Sequence, residues 1–155
     1  MTDPYTPALE ALDGSSVDYR VVRTERATSV EESAAFQGID VDHLYKTLVI
    51  RRGEDDYVFV LVPGDRSIDW PKLRNHLGVS RLSLPDAEEA RTATGYERGA
   101  ITPFGAREAW PVIVDASAPG KGRVAIGGGA HGVNIHIDAD VLIETLDASV
   151  ADVTK

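Results

Sequence analysis

One ammonium group stands inside an apolar run. In Leu44-Tyr45-Lys46-Thr47-Leu48-Val49-Ile50 the β-branched and aromatic residues predict a buried strand. Strand side chains alternate faces, so Lys46 shares a face with Leu48 and Ile50, while Tyr45, Thr47 and Val49 point the other way. Two readings stay open on this stretch alone. Either the lysine snorkels to water from a strand end, or it carries positive charge into a site.

Other candidates are sparser. Gly127-Gly128-Gly129 has no side chains to offer, so its chemistry would come from backbone amides approached closely by a phosphate or an oxyanion. A tight turn or bulge explains the same residues, and neither a Walker nor a dinucleotide spacing surrounds them. His131 and His136, read as one strand, fall on opposite faces and cannot converge on an ion. His43 and His76 lack ligand spacing and read as surface residues, so no metal is expected. There is no cysteine and no nucleophile elbow. The carboxylates fall mostly at predicted caps and helix faces. If the chain is a hydrolase, water is the nucleophile. Lys46, the loop carrying Gly99 and the amides of the triple glycine could then act together on an ester carbonyl.

These residues need elements to position them. Thr6-Pro7 opens a short helix ending before Gly14, and alternation from 17 to 24 predicts a half-buried strand. Ser29-Val30-Glu31-Glu32 is a capping box for a helix that stops at Gly38. The lysine strand and the apolar run 57–62, joined by Gly53-Glu54-Asp55-Asp56, predict a hairpin. Asp69 caps a helix to Leu77; a brief strand follows at 80–84, and a helix begins at Pro85-Asp86 and closes at Gly95. No periodicity covers 95–105, whose three glycines and proline predict an ordered loop. Strands at 110–115, 123–126 and 131–137 and a helix from Asp138 complete the chain. The tail 148–155 is expected to fray. Hairpins mixed with short helices, without a repeated strand-helix-strand unit, indicate α+β.

A chain of 155 residues suits one domain, 1–155, with one sizeable core. The net charge of −9 excludes general coating of nucleic acid but leaves room for a local basic patch, since the arginines gather mid-chain. No apolar run reaches membrane-spanning length, and Met1-Thr2-Asp3-Pro4 lacks the order of a signal peptide. A cytoplasmic location is the resulting expectation.

The chain resembles the YbaK and prolyl-tRNA synthetase editing-domain family of aminoacyl-tRNA deacylases. The resemblance rests on Tyr45-Lys46-Thr47-Leu48-Val49, Val60-Leu61-Val62-Pro63-Gly64, Ala93-Thr94-Gly95-Tyr96, and Gly99-Ala100-Ile101-Thr102-Pro103 followed by Gly105. It implies a compact α+β domain with a curved, mixed, partly barrel-like sheet flanked by short helices, needing neither metal nor cofactor. The implied activity is hydrolysis of the ester of mischarged tRNA, most typically Cys-tRNA(Pro) or Ala-tRNA(Pro). The acceptor end of that tRNA is the expected partner, with a prolyl-tRNA synthetase as a further one. In this reading Lys46, Gly99, Gly128 and Gly129 serve catalysis, and Ile101, Thr102, Pro103 and His131 meet the substrate. A non-catalytic module of the same fold that binds aminoacyl-tRNA or a nucleotide is the alternative. The late turn departs from the family pattern: Gly127-Gly128-Gly129-Ala130-His131-Gly132 stands where many members have a serine or alanine, a glycine and two basic residues. That departure bears on amino-acid specificity.

Overall fold

The run 57–62 is apolar at every position, a pattern tolerated only by a strand covered on both faces. A computed structural model, which describes residues 5–155, places it there. Met1 to Pro4, where a signal-peptide order was looked for, lie outside the described residues. In chain order the elements are α1 (Pro7–Asp13), β1 (Arg20–Arg23), α2 (Val30–Gln37), a 3-10 turn (Val41–His43), β2 (Tyr45–Gly53) and β3 (Asp56–Pro63). They continue with α3 (Trp70–Leu77), α4 (Ala87–Thr94), β4 (Val112–Asp115), β5 (Arg123–Gly127), β6 (Val133–Asp138), α5 (Ala139–Thr145) and β7 (Ser149–Ala151).

The strands form two sheets. One is antiparallel, in the order β1-β6-β5; the other is mixed, in the order β2-β3-β4-β7, with β2 antiparallel to β3 and the remaining pairs parallel. An isolated parallel bridge between Leu44 and Ala125 joins them. The α+β class, the single domain and the mixed sheet therefore hold, and the sheets do not close into a barrel. Their facing surfaces pack a core in which Val124, Ile126 and Ile135 meet Tyr45, Val49, Phe59 and Leu61. On the other face of β3, Val58, Val60 and Val62 pack with Ile50, Ile68, Leu73 and Val153. Each such fully buried aliphatic side chain stabilises the fold by roughly 1.5–3 kcal/mol.

Local signals placed the helices well. Thr6, Ser29, Asp69, Asp86 and Asp138 each accept a hydrogen bond from a first-turn amide. Gly38, Gly78 and Gly95 end their helices in the left-handed conformation. The hairpin turns at Asp55, whose φ is 52°. Of the strand expected at 80–84 only a bridge from Ser83 to Arg51 forms.

The tail overturns its expectation. Instead of fraying, 149–151 adds a parallel strand to β4, and Val153 is fully buried. Asp115 anchors it, accepting from the Val153 amide (3.3 Å) and the Thr154 hydroxyl (3.0 Å). Burial alone would raise the carboxyl pKa of Asp115, but hydrogen bonds from Ser117, Val153 and Thr154 outweigh it and hold it below the usual range.

Candidate functional site

A cavity of about 580 Å³ is lined by residues of both sheets and of α2. Its floor is the start of β2, with Lys46, Thr47 and Val49; Gly99 and Ile101 form one rim, Gly127 and His131 another. Lys46 sits one residue inside β2, opposite Val62. Leu48 and Ile50, on the same face, enter the second core, while Lys46 extends beyond it and donates its Nζ to the Arg66 carbonyl at 2.9 Å. Its charge is thus held by a neutral acceptor rather than a carboxylate. Arg26 and Arg98 also line the cavity, against Glu25 as its only acid, so the site favours an anionic or electron-rich ligand.

The rims meet at Gly99. This residue has a φ of 90°, and a Cβ there would lie 3.3 Å from Cε1 of His131. His131 in turn lies with Nε2 3.4 Å from Oε2 of Glu97. The neighbouring amide of Ala100 donates to the Glu97 carbonyl (2.9 Å), but the Gly99 amide has no acceptor among the described residues. Tyr96 underpins the loop by donating its hydroxyl to the Phe104 carbonyl at 2.7 Å, and burial pushes its pKa up to about 12.

Four of the sequence-predicted site residues, Lys46, Gly99, Ile101 and His131, therefore converge on one cavity. The others do not. Thr102 and Pro103 are buried behind the rim, with the Thr102 hydroxyl 3.4 Å from the Phe104 amide that donates to it. Gly128 and Gly129 lie outside the cavity lining, and their amides are spent: Gly128 donates to the Val133 carbonyl (2.8 Å) and Gly129 to that of Ala100 (3.1 Å). The expected amide contribution from this pair is corrected by those bonds. What requires glycine there is close packing, since a Cβ at 129 would lie 2.7 Å from the Tyr96 ring.

Sequence reasoning missed Thr47. It lines the cavity from the face opposite Lys46, and its hydroxyl is shielded from solvent without a hydrogen-bond partner. A buried hydroxyl left unpaired is uncommon and points to a partner supplied from outside. Its only sequence signal was its place next to Lys46.

The histidines separate. His131 occupies the turn before β6, whereas His136 on that strand is buried and pairs Nε2 with Oε1 of Gln37 at 2.9 Å. Burial, with Arg123 and Arg20 nearby, lowers the pKa of His136. His76 is exposed as expected, but His43 is half-buried, its Nδ1 2.9 Å from Oδ1 of Asp42. Asp40, Asp42 and His43 are the sole cluster of metal-ligating types among the described residues, and it lies outside the cavity.

Comparison with known proteins places this geometry. The family model for the aminoacyl-tRNA editing domain matches residues 24–145. The chain belongs to that family. It is 23% identical to a candidate Cys-tRNA(Pro)/Cys-tRNA(Cys) deacylase, EbsC, of Enterococcus faecalis, over 99% of this chain and 95% of that protein. It is 28% identical to the proline–tRNA ligase of Thermosipho melanesiensis over 91% of this chain, but spans only 25% of that ligase. Among solved structures, a candidate trans-editing enzyme for prolyl-tRNA synthetase superposes with a TM-score of 0.89 at 26% identity, covering 99% of both chains. No helix among the described residues is long and apolar enough to cross a membrane.

Proposed function

We propose that this protein is a trans-editing deacylase that hydrolyses the ester of a mischarged tRNA, Cys-tRNA(Pro) or Ala-tRNA(Pro), in the cytoplasm alongside a prolyl-tRNA synthetase. The observation that carries this reading is the convergence of Lys46, Gly99 and His131 on one cavity inside the segment matched by the editing family. The near end-to-end match to the Enterococcus protein, a candidate Cys-tRNA(Pro)/Cys-tRNA(Cys) deacylase, supports the deacylase reading.

The chemistry follows from the lining. Water adds to the ester carbonyl carbon, the bond to the ribose oxygen breaks, and that oxygen leaves with a proton derived from the water. Negative charge develops on the carbonyl oxygen, where the Lys46 ammonium and the unpaired Gly99 amide stabilise it. Val49, Ile101 and Ile126 give the cavity an apolar wall suited to a small side chain. Size exclusion by such a wall rejects larger residues without relying on fine differences in affinity.

Purified protein should release amino acid catalytically from Cys-tRNA(Pro) or Ala-tRNA(Pro) in a panel of mischarged tRNAs. Lys46→Ala should slow that release about 100-fold, equivalent to roughly 3 kcal/mol of transition-state stabilisation, with an unchanged circular dichroism spectrum. Binding without release from any member of the panel would replace the enzyme by a binding module. Near-normal turnover in Lys46→Ala would remove the lysine from the chemistry.

A further inference from the structure

The chain carries 25 acidic against 16 basic residues, so a groove with several cations and no carboxylate runs against its composition. One exists at the far end of β2. Arg51, Arg52, Arg74 and Arg81, with Ser80 and Ser83, line a groove of about 440 Å³ to which no Asp or Glu contributes. Three segments deliver the arginines. Arg51 and Arg52 lie near the end of β2, Arg74 in the last turn of α3, and Arg81 on a stretch tied to β2 by paired backbone bonds between Ser83 and Arg51, 2.8 and 3.1 Å long.

Their charges are incompletely neutralised. Asp56 takes a two-pronged pair of hydrogen bonds from Arg52, both 3.0 Å. Nε of Arg51 lies 3.4 Å from Glu89 yet makes no hydrogen bond. Arg74 and Arg81 have no ion-pair partner among the described residues. Like charges gathered this way repel one another until an anion joins them.

One short segment borders both the groove and the cavity: Leu82 and Ser83 line the groove, Leu84 and Pro85 the cavity, and Leu84 is 57% exposed. Lys46 and Arg52 lie near opposite ends of β2, and the six-residue separation along the strand spans about 20 Å at roughly 3.3 Å per residue.

We propose that this groove binds the phosphate backbone of the acceptor stem of the tRNA whose terminal ester enters the cavity. The inference rests on the deacylase reading. A nucleic-acid strand leaving the cavity over the 82–85 wall presents phosphates along that path, and guanidinium forks match phosphate oxygens. Charge complementarity at both the cavity and the groove favours RNA over an acidic protein segment. Phosphate contacts carry no sequence information, so the groove supplies affinity and register while the cavity does the sorting. The −9 chain can thus hold tRNA through one local patch.

The test is fluorescence anisotropy of an uncharged tRNA(Pro) transcript, titrated across salt concentrations with wild type, Arg74→Gln/Arg81→Gln and, as a charge control, Arg91→Gln. Arg91 is exposed on α4 and outside the groove. The double variant should bind about tenfold more weakly, and its slope of log affinity against log salt should fall by about 1–2, one lost phosphate contact per arginine. The control should show less than half that change. Unchanged affinity and slope in a folded double variant would overturn the groove, as would an acidic peptide of equal charge displacing the RNA more effectively than a short RNA duplex does. Arginine-dependent tRNA binding without turnover of any mischarged tRNA sinks the deacylase reading alone. Turnover with arginine-independent binding sinks the groove alone.

Discussion

Two glycine-rich segments border the same cavity, one at 95–105 and one at 127–132, and they use glycine for opposite ends. At Gly99 the missing side chain leaves room for the His131 imidazole, and the amide stays without an internal acceptor. At Gly128 and Gly129 the chain itself occupies the space: the Val133 carbonyl and the Tyr96 ring press against the backbone, both amides donate inward, and Thr6 donates its hydroxyl to the Gly128 carbonyl at 2.6 Å. One segment is open to a ligand and the other is a clasp holding the N-terminal helix, the 95–105 loop and β6 together. A glycine run is therefore weak evidence for a site until the fate of its amides is known.

Substitution should separate the two. Gly129→Ala combines a left-handed backbone, φ 95°, with overlap against Tyr96, and should destabilise the fold by about 2–4 kcal/mol. Thermal melting should show this as a fall of roughly 10 °C; an unshifted melt would mean that the clasp is not tight. Gly99→Ala has a softer neighbour in His131, so its stability cost should stay near 1–2 kcal/mol while deacylation drops more steeply than that loss explains. If rate and stability fall together, the open segment is only another clasp. The mildest change is Thr47→Val. Because the hydroxyl has no internal partner, stability should move by less than about 1 kcal/mol in either direction, and a higher KM would place the hydroxyl against substrate. Unaltered kinetics would leave it a packing residue.

Much of the fold was legible because its signals are local. Caps at Ser29, Asp69 and Asp86, stops at Gly38, Gly78 and Gly95, and the doubly buried run of β3 each depend on residues a few positions apart. The tail was misread because 149–155 has little pattern of its own; β4 and the Asp115 carboxylate recruit it across the chain. How the two sheets meet was not legible for a related reason, since no local signal tells whether β2 and β5 pair fully or touch only at the Leu44–Ala125 bridge. Within the site, Lys46 was conspicuous because an ammonium group contradicts its apolar surroundings. Thr47 fits a strand so well that nothing in its own type set it apart.

Sequence by itself determined the class of fold, the strand that carries Lys46, the loop that carries Gly99, and an acidic chain whose cations gather in the middle. These are matters of composition and short-range pattern. Only the tertiary structure decided which amides remain free, that Thr47 is unpaired, and that Arg51, Arg52, Arg74 and Arg81 share one groove with no carboxylate in its lining. Each of those depends on where distant segments come to rest, and a hydrogen bond or an ion pair exists only once both partners have arrived.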